Sequence, residues 1–165
     1  MKLWRIWRWN CWGDEKGNYA RINPNDHVNR GQSTNDVYPS AGKLAMIRLM
    51  APLFDELEAL ISTLGAKADE FARVYKMGRT QLQDGVPMTL GNSFHAYLKP
   101  LRRDLRRLQD AEAALHTLNL GGSAIGSGIN VSYHYQVHVI PKLETVTGLE
   151  LFQAVDLFDA TQNLD

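Results

Sequence analysis

The chain has a single cysteine, Cys11, so no disulfide can close within it and its fold must rest on packing, as suits a reducing, cytoplasmic compartment. It also lacks an excess of either charge, with 18 Lys and Arg against 18 Asp and Glu. Such neutrality leaves no electrostatic footprint for nucleic acid or an anionic membrane as partner. No apolar run approaches the length of a membrane span, and no strand-like alternation of any length appears. All four tryptophans fall in "MKLWRIWRWNCW", where Trp4, Trp7, Trp9 and Trp12 interleave with Lys2, Arg5 and Arg8. That stretch has neither the continuous apolar core nor the small-residue cleavage site of a secretory signal, and it is short for a surface anchor. Residues 1–14 therefore read as a segment foreign to the domain that follows.

What is present is helical periodicity. At 165 residues the chain suits one compact domain or a piece of a larger one. From Asp14 to Gly31 it is rich in Asn, Asp, Gly and Pro, which predicts an extended loop with turns at Asn23-Pro24 and Asn25-Asp26. Val37, Ala41, Leu44, Ala45 and Leu49 then recur at helical spacing. A break is expected at Met50-Ala51, with Pro52 in the first turn of a second helix whose seam runs through Leu53, Leu57, Leu60, Leu64, Phe71 and Val74. A further seam joins Phe94, Leu98, Leu101, Leu105, Leu108, Leu115 and Leu118, and Pro100 should kink that helix or start it anew. Near-heptad spacing predicts long antiparallel helices crossing at a shallow angle. Tyr133 to Thr147 predicts a shorter helix ended by Gly148. The fold class is all-α, a long-helix bundle.

Three polar clusters stand apart from these seams: "NPND" at 23–26, "GQSTND" at 31–36 and "GRTQLQD" at 78–84. Hydroxyl and amide side chains at a helix N-terminus suit a carboxylate, because the free amides and the helix dipole both favour negative charge. Ser33, Thr34 and Asn35 fit that role and equally fit simple capping. The polar run after Gly78 is longer than a helical turn requires and reads as a binding loop. "GGSAIGSGIN" at 121–130 lacks the ending and the preceding strand of a phosphate loop. His134 and His138 share a helical face without a third ligand nearby, so no metal is expected there. Arg102, Arg103, Arg106 and Arg107 lie off the leucine seam and read as a solvated or subunit-facing surface.

Four blocks, "GQSTNDVYPSA", "KMGRTQLQDGVPMTLG", "NLGGSAIGSGIN" and "AVDLFDATQ", resemble in order and spacing the aspartase/fumarase superfamily, and its aspartate ammonia-lyases most closely. The resemblance covers Glu15 to Gln162. It implies a fragment of a central helical bundle that assembles as a homotetramer, with active sites built from three subunits, and a carbon–nitrogen lyase reaction: elimination of ammonia from L-aspartate to give fumarate, without a cofactor. By position, Ser33 and Thr34 would hold the carboxylate that becomes an enediolate, with Asn35 near the amino group. Thr80 would bind the other carboxylate, and Gln81 would face the leaving group. Fumarases of this type usually carry His at the position of Gln81, which favours the ammonia-lyase over a class II fumarase. Asn23, Asn25 and Asp26 resemble the secondary dicarboxylate site of the fumarases, with Asn23 in place of the usual His.

On this resemblance residues 15–36 form a loop region with substrate-contact motifs, and 37–165 a helical bundle domain. The family's N-terminal region carries another substrate-contacting threonine, for which this chain has the Trp-rich stretch. The sequence ends at Asp165, before the family's "GSSxMPxKxNP" loop with its serine base. The expectation is that no residue of this chain is itself the catalytic base and that the chain alone is inactive or nearly so. A non-catalytic module that associates through its exposed helical faces is the alternative from outside the enzymes.

Overall fold

The computed structural model describes residues 19–21 and 23–163, so the Trp-rich segment and the start of the following loop lie outside the described residues. The described chain is helical, as expected, and divides into two units. One unit combines the residues up to Ala41 with those from Thr117 onward, and the other is Gly42–His116. Among the described residues no helix is long and apolar enough to cross a membrane.

Helix α1 runs unbroken through Thr34–Glu70. The expected break at Met50-Ala51 is therefore absent. Pro52 and Arg48 are both exposed, so the one helical hydrogen bond that the proline removes is lost at the helix surface, within reach of solvent. Within Gly42–His116 the buried row on α1 is Ile47, Ile61 and Ala68, with Phe54 half-buried between them. The expected leucine seam is turned differently: Leu53 and Leu60 are 48% and 47% exposed. The helix is apolar on more than one face, so a single row of neighbours cannot cover it.

The segment expected to be a polar loop is a β-hairpin, the main departure from the sequence reading. Strand β1, Tyr75–Thr80, pairs antiparallel with β2, Gln83–Thr89. The register shifts between Met77 and Arg79, where two residues of β2 oppose Gly78, as in a β-bulge. Both strands are mostly exposed, so there was no alternation of buried and polar side chains to reveal them. Thr89 then caps helix α2, Leu90–Leu115. Its hydroxyl accepts from the Asn92 amide at 3.1 Å, and the Asn92 carboxamide accepts from the Thr89 amide at 3.0 Å. α2 continues through Pro100 without restarting, and Leu98, 2% exposed, anchors its inner face.

The start of α2 is locked to the end of α1. The Gly91 amide donates to Phe71 O at 3.0 Å, and the rings of Phe71 and Phe94 lie 5.5 Å apart. A β-carbon at Gly91 would fall 2.4 Å from the Ala68 carbonyl oxygen and 2.9 Å from Ala72 Cα, so only glycine fits this approach.

The other unit contains the first residues of α1, a π-helical turn at Pro24–Val28, the glycine-rich segment and helix α3, Tyr133–Thr147. α3 has the expected bounds. Ser132 caps its start, and Gly148, at φ 71°, ends it. Two short strands, β3 at Thr117–Leu118 and β4 at Phe152–Gln153, pair in parallel, and a single-turn helix α4 follows at Asp159–Gln162. Leu118, Leu120, Ile140 and Leu151 are buried here. Gly91→Ala should lower stability by about 2 kcal/mol or more, the cost of overpacking against fixed backbone, read as an earlier urea midpoint with unchanged slope.

Candidate functional site

Ser33 immediately precedes α1, and its hydroxyl accepts from the Asn35 amide at 3.2 Å. The Ser33 amide in turn donates to Asp36 Oδ1 at 2.8 Å, which completes a reciprocal capping arrangement. The capping role weighed from the sequence is thus real for Ser33. It does not use the hydroxyl proton, which stays available for donation because a serine oxygen can accept one bond while its O–H points elsewhere.

Asp36 is fully buried, and its second oxygen accepts from the backbone amides of Ser123 at 3.0 Å and Gly121 at 3.3 Å. Three N–H donors therefore converge on one carboxylate, and two of them tie the first turn of α1 to the glycine-rich segment. Asn35 adds a third tie, its Nδ2 donating to the Ala124 carbonyl at 2.6 Å. The same segment also packs closely on the chain after β4: at Gly126, with φ 97°, a β-carbon would sit 2.5 Å from Leu157 O and Phe158 Cα.

A proline explains the next contact. Pro39 has no N–H, so the carbonyl of Asn35, four residues earlier, loses its helical donor. Buried Asn119 supplies one, its Nδ2 lying 3.0 Å from Asn35 O, while its Oδ1 accepts from the buried Ser40 hydroxyl at 3.2 Å. The same Nδ2 also reaches Thr161 Oγ1 at 3.3 Å. Sequence reasoning missed Asp36 and Asn119 as determinants of this region. Signals for both existed: Ser33-x-x-Asp36 has capping-box spacing, and a proline in the second turn of a helix implies an orphaned carbonyl.

Ser33 and Thr34 line a cavity of about 390 Å³ together with Asn25, Asn29, Gln32 and Val37. The structure thus brings one member of the "NPND" cluster to the same cavity as the helix start. Asn23 instead works as a turn-former, its Oδ1 accepting from the amides of Asn25 at 2.8 Å and Asp26 at 3.3 Å. Its own amide donates to His27 Nδ1 at 2.9 Å. Asp26 is exposed. On the cavity wall, Asn29 Oδ1 is buried and has no hydrogen-bond partner among the described residues, an acceptor suited to an incoming N–H or O–H group. Gln32 is fixed by donating to the Tyr135 hydroxyl at 3.0 Å. Burial raises the Tyr135 pKa above its ordinary value; the Gln32 bond opposes this, and the charge of Asp36 reinforces it.

Thr80 and Gln81 belong to the other unit. Gln81 and Leu82, at φ 50° and 64°, form the two-residue tip of the hairpin, the left-handed pair a tight turn with native twist requires. Neither is glycine, so the turn carries backbone strain of about 1–2 kcal/mol per residue. Gln81 is exposed and lines an open depression with Arg79, Leu82, Gln83 and Asp84, across which Arg79 and Asp84 pair at 3.1 Å. Among the described residues no group of three or more His, Cys, Asp or Glu is placed to hold a metal. His134 and His138 stack at 4.2 Å, with His138 Nδ1 engaged by the His134 carbonyl.

A family model described as Lyase matches residues 12–165. The chain belongs to this lyase family. Its relatives in that family include the aspartate ammonia-lyase of Helicobacter pylori, 48% identical over 151 residues, which make up 92% of this chain and 32% of that protein. The fold is similar to that of a fumarate lyase:delta crystallin from Brucella melitensis, with a TM-score of 0.86 and 44% identity over 93% of this chain and 33% of that one. It is also similar to a class II fumarase from Schistosoma mansoni, with a TM-score of 0.77 and 32% identity over 84% of this chain and 32% of that one. The chain thus spans about a third of the length of these lyases, and the expected kinship with the aspartase/fumarase superfamily holds.

Two consequences can be measured on the chain itself. Asn119→Ala should cost about 1–3 kcal/mol, because it leaves the buried Ser40 hydroxyl without its acceptor and removes the donor to the Asn35 carbonyl; chemical denaturation reads this directly. For Tyr135 the folded state keeps its proton at a pH where the unfolded phenol has lost it. Stability from this group is therefore complete below about pH 10 and falls as pH rises beyond it. Tyr135→Phe should flatten that fall in urea melts compared across the same window.

Proposed function

We propose that this chain supplies part of the active site of an aspartate ammonia-lyase. The observation that carries this is its 48% identity, over 92% of its length, to a protein of that name. The chemistry of its polar clusters supports the same reading. A dicarboxylate substrate needs neutral donors that do not titrate near neutral pH, and Ser33, Thr34, Asn35, Thr80 and Gln81 offer hydroxyls and carboxamides.

In this reaction a base removes a proton from the carbon next to the side-chain carboxylate. The electron pair moves into that carboxylate to form an enediolate, then returns to make the carbon–carbon double bond as the carbon–nitrogen bond breaks and ammonia leaves. Ser33 and Thr34 would donate to the enediolate oxygens, where oriented donors act on charge as it develops. Asn35 and Gln81 would accept from the amino group, and Thr80 would hold the second carboxylate. None of these residues is assigned the role of base. Asn25, with Asn23 and Asp26 on the adjoining turn, would form a second dicarboxylate position. Self-association as a homotetramer in the cytoplasm fits the same reading, and exposed Leu49, Leu53 and Leu60 on α1 offer an apolar face for it.

The test is fumarate absorbance at 240 nm from L-aspartate. It uses the chain alone and then mixed with a separately made polypeptide carrying the region of the Helicobacter pylori relative that follows the match. Fumarate from the mixture only is expected. Thr80→Ala and Gln81→Ala should each reduce the rate by about 10²-fold, as loss of one oriented donor does. A mixture that is folded and silent would overturn the proposal. Similarity to a class II fumarase supports a second reading, and gain of fumarate hydration by Gln81→Ala's counterpart, Gln81→His, would favour it.

A further inference from the structure

We propose that Asp36 is a positioning residue for this site: its buried carboxylate aligns Ser33 and Asn35 for substrate by holding the start of α1 and the glycine-rich segment in one fixed arrangement. The inference rests on the ammonia-lyase reading above and concerns a residue that would not touch substrate.

The geometry assigns each part of the carboxylate a task. Oδ1 takes the Ser33 amide at 2.8 Å, which fixes the Ser33 backbone and hence the direction of its side chain. With the Ser33 oxygen already accepting from Asn35 N at 3.2 Å, the hydroxyl proton is the group left to face a carboxylate. Oδ2 takes the amides of Ser123 and Gly121 at 3.0 and 3.3 Å. The residue after Ser123 is Ala124, whose carbonyl receives Asn35 Nδ2 at 2.6 Å. Asp36 thus holds the backbone that orients the Asn35 carboxamide. With one of its two N–H groups spent on Ala124, the Asn35 oxygen is set as an acceptor of defined direction, which suits an ammonium group.

There is a second effect. Amides at a helix start and in a glycine-rich segment form a ready anion site, and Asp36 fills it from within. A substrate carboxylate is then bound by hydroxyls whose placement depends on Asp36 instead of by the amides themselves. Ser123 accepts a left-handed conformation, φ 59°, in the same arrangement, a conformation that costs a non-glycine residue energy and that the bond to Asp36 helps to hold.

Asp36→Asn keeps the shape but puts an N–H₂ group against backbone N–H donors on one side. In the mixture that forms fumarate, kcat should fall by about 10²-fold, as for a displacement of about 1 Å in a reacting group, with KM little changed. The assay is run where circular dichroism shows the variant folded. A folded Asp36→Asn with wild-type kcat overturns the inference while leaving the ammonia-lyase reading intact. If Asp36→Asn does not fold, Asp36→Glu restores the charge with the carboxylate displaced by one methylene. It should fold with lowered kcat, and wild-type kcat from it overturns the positioning role. Amide exchange on the wild-type chain needs no variant: Gly121 and Ser123 should be protected, and unprotected exchange at both overturns the inference. A silent wild-type mixture with both amides protected would instead reject the ammonia-lyase reading and leave Asp36 a structural clamp.

Discussion

A carboxylate buried beneath a helix start is costly unless its oxygens are fully hydrogen-bonded, and Asp36 meets that condition with three backbone amides from two segments far apart in sequence. This constraint organises its unit. Gly121 and Ser123 present their amides to one carboxylate oxygen from positive-φ conformations, and the segment goes on turning at Gly126 and Gly128, also at positive φ. Because Pro39 withholds an N–H, Asn119 is drawn to the same turn of helix. Candidate substrate contacts then sit on a scaffold whose polar groups are already committed to one another.

The Gly42–His116 unit is built on a different principle. Its buried apolar residues are Ile47, Ile61, Ala68 and Leu98, and the start of its second helix meets the end of the first through a backbone contact that Gly91 alone permits. The hairpin projects from this packing with little burial of its own and with two strained residues at its tip. Strain held by surrounding structure is a recurrent property of binding loops, and an exposed carboxamide such as Gln81 at the tight tip of a paired hairpin has a better-defined direction than one on an open loop.

The polar chemistry was more legible in the sequence than the backbone that presents it. Ser33, Thr34 and Asn35 could be placed at a helix start because capping residues followed by apolar periodicity have one common explanation. The bounds of α3 were legible because Ser132 and Gly148 are chemically suited to the two ends of a helix. Asp36 was hidden: an acidic residue in a first turn ordinarily faces solvent, and only contacts some 85 residues away bury it.

The sequence by itself determined the helical class, the lyase kinship through four ordered motifs, and which side chains can donate or accept near a dicarboxylate. These follow from local periodicity and residue chemistry. Tertiary structure alone decided that α1 runs through Pro52, that the run after Gly78 pairs as a hairpin, and that Leu53 and Leu60 are exposed while Ile61 is buried. Each of those outcomes depends on what lies opposite a residue in space: solvent beside an exposed proline, a partner strand, or packed apolar neighbours. Residue spacing carries no record of such partners.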